Sequence, residues 1–593
     1  MKRNENNYRN DTYIIKKLLQ DSLVVLIIIV LASTIGMLVD GIIIGTSLGV
    51  NCTVAYGLAS PIFVFIAAVA GIFSSGCQTR CGTNLGKGEF QTANDVFSIT
   101  VVSSLLSGSV LMLLLLVLIH PICSLLGAPI SNETLYPLTS DYIIGLSFAV
   151  PAILVGSSLS SIMQIDGDKM RPIISTVIMT VVNIIGDLLN VHVIHGGMLG
   201  MAIATTISYY VNIVVLYLHF KKKNIIFKIG LKQLKWNELK ETLFVGLPSA
   251  ISRGCVPLRN LCLNRLLLVL AGSSAVAAFS VQSSLNNLFG SVGTAVGMAT
   301  LLIVGIIYGE EDIASASKLL KVSLKMGTII TSVIGILLFC CAKYFTSLFL
   351  KDPTVLEYAT VCVRFYAISI PLHAVNTVFM NYLQGMHNIK FAHTIGILDN
   401  FAYITLLSLL LGNIIGINGV WISYILSELV MILTLVIVSI VRNKKIPCSI
   451  DDFLFLPKGF GVPEEERFDA SITTMEQVMN ISERIETFCK EKGHYDSRTM
   501  SVALCVEEIA GNIVKYGFND DKKHCIDLRI MKKNGDYIIR IRDDCRAFNP
   551  EKQLERKKPE DSAYNIGIRV VYGLAKEVKY VNTMNMNNLM IKI

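Results

Sequence analysis

Charge is scarce in this chain. Asp, Glu, Lys and Arg fill only 16% of the 593 positions, while 52% are hydrophobic. A soluble globule of ordinary composition carries about 25% charged residues, so a single soluble domain is excluded. Polar/apolar alternation is missing from the long apolar runs, which excludes the strands of a membrane barrel. The 14 cysteines include no CxxC pair, so no structural metal or disulfide framework is expected. Cys77 and Cys81 lie one helical turn apart and are expected to pack inside a span. No G-x-x-x-x-G-K-[ST] phosphate loop occurs, which removes ATP as the expected fuel of the membrane part. A cleavable leader is not expected either: MKRNENNYRNDTYIIKK is long and charged, and the apolar run after it has spanning length.

Apolar stretches recur from about Asp11 to Arg442, beginning with LVVLIIIVLASTIGMLVDGIIIG. Each is long enough to cross the ~30 Å hydrocarbon layer as a helix. Counting them in order gives about twelve spans of that length. Loops of one parity hold the cations: Lys16 and Lys17, Arg80 and Lys87, Lys169 and Arg171, the stretch HFKKKNIIFKIGLKQLKWNELK, then Arg442, Lys444 and Lys445. Intervening loops such as VHVIHGG and LGNIIGING hold no Lys or Arg; only Lys343 and Lys351 break the pattern. The positive-inside rule then puts both termini in the cytoplasm. The net charge of +8 is explained by topology and calls for no nucleic acid.

The basic stretch divides the spans into two sets. AYGLASPIFVFIAAVAGIFSSGCQTRCGTNLGKGEF in one half has a weak counterpart, AAFSVQSSLNNLFGSVGTAVGMATLLIVGIIYGEED, in the other. The expected segments are a lead (1–11), a first six-helix lobe (12–220), a linker (221–241), a second six-helix lobe (242–442), a second linker (443–467) and a soluble domain (468–593). Repeated halves around a central site are a recurrent transporter plan. LVDGIIIGTSLG, LGKGEF, NIIGDLLNVHVIHGGMLGMAIATTIS, GLPSAISR and GINGVWIS together resemble the multidrug and toxic compound extrusion (MATE) family over about 12–442. That resemblance implies two lobes, alternating access, and export of small drug-like molecules driven by H+ or Na+.

Ionisable groups inside spans cost at least ~2.5–3.5 kcal/mol each and need a reason. Asp40 lies in the first span; Asp187 lies in the fifth, with Asn183 one turn away on the same face. The resemblance makes these acids the carriers of the coupling ion. In the second half Asp399 and Glu428 fall in spans eleven and twelve, and span seven carries Arg253, Arg259 and Arg265. Steps of six residues spread the arginines around a helix, so they cannot share one face. Internal pairing with Asp399 or Glu428 is one explanation. A cavity that accepts anionic or zwitterionic cargo is the other.

From about residue 447 the pattern becomes that of an α+β domain. TTMEQVMNISERIETFCKEKG and SVALCVEEIAGNIVKYGF read as helices, and Asn534-Gly535 joins two strands as a hairpin. EEIAGNIVKYG, DDCRAFNP and NIGIRVVYGLAKEVKY resemble the GHKL ATPase superfamily, and within it the anti-sigma-factor serine kinases. The resemblance implies that Asn512 ligates Mg2+ of Mg-ATP and that Glu508 is the base. It sets Lys515 near the phosphates, Asp543 on the adenine amino group and Gly567 at the end of the lid. Two departures stand out: Cys545 replaces the glycine of the first box, and Asn565 the first glycine of the second. A side chain at such positions can obstruct a ligand.

The sequence therefore predicts a multi-span α-helical bacterial inner-membrane protein of MATE type, ending in a GHKL-like α+β sandwich. Its expected activity is cation-coupled export, in contact with membrane lipid, with the tail serving regulation and open to a cytosolic regulatory protein. Two alternatives stay open: a flippase for lipid-linked saccharides, and a membrane-tethered signalling protein with a kinase-like tail.

Overall fold

The computed structural model describes residues 12–593 except 223–224, 231–233, 351, 458, 464–465, 492–494, 521, 534 and 556–565. Among the described residues, 10 helices are long and apolar enough to cross a membrane, or 11 if Leu135–Ser147 and Val150–Ile165, bent by 45°, form one span. One of these, Trp236–Gly309, has 74 residues. A helix of that length would extend roughly 110 Å, several times the thickness of the hydrocarbon layer. Its backbone leaves helical geometry at Ala271 and Gly272, with φ at +69° for Gly272. Glycine tolerates that conformation where other residues strain. The break turns the long element into two spans, and the total reaches the expected twelve.

The first six spans form one lobe, from Tyr13–Leu48 to Gly197–Lys221, and the second lobe runs from residue 236 to Asn443. The lobes meet most closely at the end that also carries the soluble domain, called here the tail side. A Cβ added to Gly76 would stand 2.1 Å from the Thr242 carbonyl oxygen, and one on Gly246 2.0 Å from that of Ile72. Gly86 faces Ile306 and Gly309 faces Thr83 just as closely, at 2.2 and 2.0 Å. Backbone meets backbone only because these four positions have no side chain. Gln384 of the second lobe adds a hydrogen bond across the seam to the Ser75 hydroxyl at 3.1 Å, and is held by the Val245 carbonyl of its own lobe at 3.0 Å. Farther from the tail, a Cβ on Gly57 or Gly254 would meet nothing within 4 Å. The closest backbone approach of the lobes is therefore on the tail side.

The soluble domain is built on an antiparallel sheet of order β1-β2-β3-β5-β4. The strands are β1 (Arg467–Ile472), β2 (Ile526–Lys533), β3 (Asp536–Asp543), β4 (Glu577–Thr583) and β5 (Met586–Lys592). One face packs Leu528, Ile530, Ile539, Ile541 and Ile591 against helices that include Thr499–Gly517. The alternate residues Asp527, Arg529, Arg540 and Arg542 lie on the other face, as the two-residue period of a strand requires.

Two local expectations change. The helix read over 473–493 is broken into Met475–Met479 and Ile481–Glu491, and β1 was not foreseen. Asn534 of the hairpin lies outside the described residues, while Gly535 beside it has φ +83°.

Candidate ion and nucleotide sites

In the first lobe, two spans bring their acids together deep in the bundle. Asn183 donates to Asp40 at 2.6 Å and to Asp187 at 3.3 Å, and the Ser208 hydroxyl donates to the Asn183 carbonyl oxygen at 3.4 Å. Asp187 is fully buried and Asp40 nearly so. Oδ1 of Asp187 has no hydrogen-bond partner among the described residues. Tyr56 and Tyr142 meet edge to face beside it, with Tyr56 against Gly41. Two carboxyl groups on one amide, with no Lys, Arg or His bonded to either among the described residues, cannot both carry charge cheaply. A proton or a monovalent cation is the natural remedy.

The second lobe holds a related cluster that the sequence reading only half anticipated. His373 Nδ1 lies 3.1 Å from Glu428 and 3.4 Å from Asp399. Asn376 donates to Asp399 at 3.0 Å and to Glu428 at 2.7 Å. His373 and Asn376 went unnoticed, although an imidazole and an amide three residues apart inside span ten are themselves unusual. Asp187 lies just before a π-helical turn, Asn190–Ile194, and Asp399 lies within another, Leu398–Ala402. Such turns are frequent where a helix carries a functional group.

The arginines do not pair as expected. Arg259 bonds only its neighbour Asn260, at 3.4 Å, and none of Arg253, Arg259 and Arg265 forms an ion pair among the described residues. The acids they were expected to meet are taken by His373 and Asn376. Arg253 is solvent-exposed, yet its side chain lies 3.7 Å from the Cβ position of Gly71 in the opposite lobe. It therefore projects into the cleft between the lobes.

In the tail, Gly567 brings its backbone onto the helix of Glu508 and Asn512. A Cβ there would be 2.1 Å from Glu508 Oε2 and 3.6 Å from Asn512 Nδ2. Asp543 is buried, accepts from the Cys545 amide at 3.0 Å and from Asn587 at 2.9 Å, and burial pushes its carboxyl up from the ordinary value. Cys545 does not obstruct this site from within: its sulfur packs 2.8 Å from the Cβ position of Gly517, whose missing side chain leaves it room. Gly567, Glu508 and Asn512 thus lie together, and Asp543 is a buried acceptor at the end of β3. Lys515 does not join them; it is exposed, its ammonium 5.2 Å over the Tyr516 ring. Asn565 lies outside the described residues.

Comparison with known proteins fits both halves. The MatE profile matches residues 26–189 and again 248–416, one match per lobe. The chain belongs to the MatE family. The histidine kinase-like ATPase domain profile matches 473–593. Among curated relatives, the multidrug export protein MepA of Staphylococcus aureus is 23% identical over 403 residues, 66% of this chain and 86% of its own. MepA of Staphylococcus haemolyticus is 24% identical over 395 residues, with the same coverage. Among solved structures, an outward-facing multidrug resistance MATE transporter superposes with TM-score 0.67 at 21% identity, covering 72% of this chain and 94% of that one. A Pyrococcus furiosus transporter, described as having a binding pocket of reverse polarity, gives the same TM-score, identity and coverage. This MatE protein thus carries an ATPase-like domain behind a complete pair of family repeats.

Proposed function

We propose that the protein is a secondary exporter of small drug-like molecules, driven by H+ or Na+ entering through the Asp40–Asn183–Asp187 cluster. The carrying observation is the convergence of two buried carboxyl groups on the Asn183 amide, with no basic partner among the described residues. An ion taken up there when the cleft opens on one side is given up when the lobes rock to the other. The His373–Asn376–Asp399–Glu428 cluster offers the second lobe a site of similar chemistry. Exposed leucines such as Leu113, Leu337 and Leu410 supply a surface for lipid. The tail side is the cytoplasm of a bacterial inner membrane, so drug leaves on the opposite side. Mg-ATP occupies the tail at Asn512, Glu508, Asp543 and Gly567, with Asn512 on the metal. The test is drug susceptibility and ion-driven efflux in a pump-deficient strain carrying Asp40→Asn or the native chain. Equal efflux from both would remove this reading.

One observation favours a second reading. Arg253 faces the cleft without a carboxylate partner among the described residues, which suits cargo bearing an anionic group, including a lipid-linked saccharide. Efflux of anionic against cationic fluorescent drugs, with Arg253→Gln as the variant, separates the two: loss confined to anionic cargo supports the second.

A further inference from the structure

The sheet face left bare by the tail's own helices is covered by the membrane domain, and it touches both lobes. On the second lobe, Arg542 pairs with Glu310 and Arg529 with Asp312, all four side chains nearly withdrawn from solvent. Lys533 reaches Glu311 at 2.7 Å. These three acids form the short turn between spans eight and nine. On the first lobe, Arg540 donates to the Gly86 carbonyl at 2.9 Å and Lys17 of the first span pairs with Asp544 at 2.6 Å. The tip of the β4–β5 hairpin adds a backbone bond from Met584 to the Ile165 carbonyl at 2.9 Å. Met584 and Met586 are buried in the apolar cluster of the spans, beside Leu18 of one lobe and Ile303 and Ile307 of the other.

These anchors straddle the seam where Gly86 and Gly309 bring the lobes into backbone contact. Opening the tail side requires residues 83–86 and 305–309 to part. A sheet hydrogen-bonded across its width cannot stretch to follow them. We propose that the ATPase-like domain is a latch, which holds the tail-side gate shut while docked and must leave at least one lobe before the carrier can open inward. The proposal gives the tail a mechanical task and rests on the export reading only where export is the readout.

Two measurements on the full chain in liposomes test it. Spin labels attached through unnatural amino acids at Glu89 and Lys321 report the separation of the lobes on the tail side. Arg529→Glu with Arg542→Glu is expected to make a longer separation the majority population. Cleavage at a protease site inserted after Lys445, followed by a salt wash, is expected to do the same without altering the sheet. In the second measurement, a disulfide between Glu310→Cys and Arg542→Cys is expected to cut export by roughly tenfold, within the usual range of coupling factors, and reductant to restore it. Unchanged separation after both the charge reversal and the cleavage overturns the latch, as does full export by the cross-linked protein. A shift in separation in a protein that exports nothing upholds the latch and removes the export reading instead.

Discussion

Arg542 in the third strand of the tail and Glu310 at the end of span eight form an ion pair whose side chains are only 10% and 8% exposed. They are 232 residues apart in sequence, and each lies in a domain that could bury its own charges otherwise. Truncating one member of such a pair strands the other, at a cost of about 3–5 kcal/mol. Arg542→Ala should therefore weaken docking by about that much, measured as loss of the 310–542 neighbourhood's protection in hydrogen exchange. The swap Arg542→Glu with Glu310→Arg should recover most of it; no recovery would mean that shape rather than charge holds the tail.

Acid should reach this interface late. Burial alone would push the Asp312 carboxyl up, but the Arg529 guanidinium and the Ser315 amide bring it down to about 2 from the usual 3.8. The released state then binds the proton more readily than the docked one, so docking gains from this pair above pH 3.8 and loses it as pH falls toward 2. Docking of the native interface, followed by the spin-label separation, should be flat between about pH 5 and 8, the usual optimum of protein stability. A loss within that window would point to a different group.

The glycine seam sets a second energetic constraint. A methyl group at Gly86 or Gly309 would stand within 2.2 Å of a carbonyl oxygen of the opposite lobe. Gly86→Ala and Gly309→Ala should each disfavour the state closed on the tail side by about 1–3 kcal/mol, the range for overpacking. The spin-label separation should lengthen in both variants, together with release of the tail from at least one lobe.

For the nucleotide site, Asn512→Ala should weaken Mg-ATP binding to the full chain by at least about tenfold, or 1.4 kcal/mol, in titration calorimetry. Cys545→Gly should change it little, because the thiol packs on Gly517 and not into the ligand space. Lys515→Ala should also be near neutral, given its place over Tyr516.

Most of the membrane architecture could be read from the sequence, because hydropathy and the placing of Lys and Arg are local signals. The boundary between spans seven and eight is legible too: in LLLVLAGSSAVAAFS the apolar run is interrupted at Gly272-Ser273-Ser274, where the backbone leaves helical geometry. Asp40 and Asp187 stood out because charge is expensive in lipid, whereas His373 and Asn376 are uncharged or weakly charged and did not. The docking of the tail left no such signal. Arg540 and Arg542 alternate with Ile539 and Ile541 as they would on any solvated strand, and only the fold reveals that Glu310 and Gly86 lie opposite. The break at Asn480 was hidden by an amphipathic pattern that continues across it.

Asp543, assigned above to the proposed nucleotide site, and Asp544, which holds Lys17 of the helix that also bears Asp40, are joined by one peptide bond. Any ligand that favours one setting of that strand end must bias the first helix, and the bias runs both ways by the same factor. Cell energy charge and the transmembrane ion gradient would then be read by one molecule, through a linkage no longer than a dipeptide.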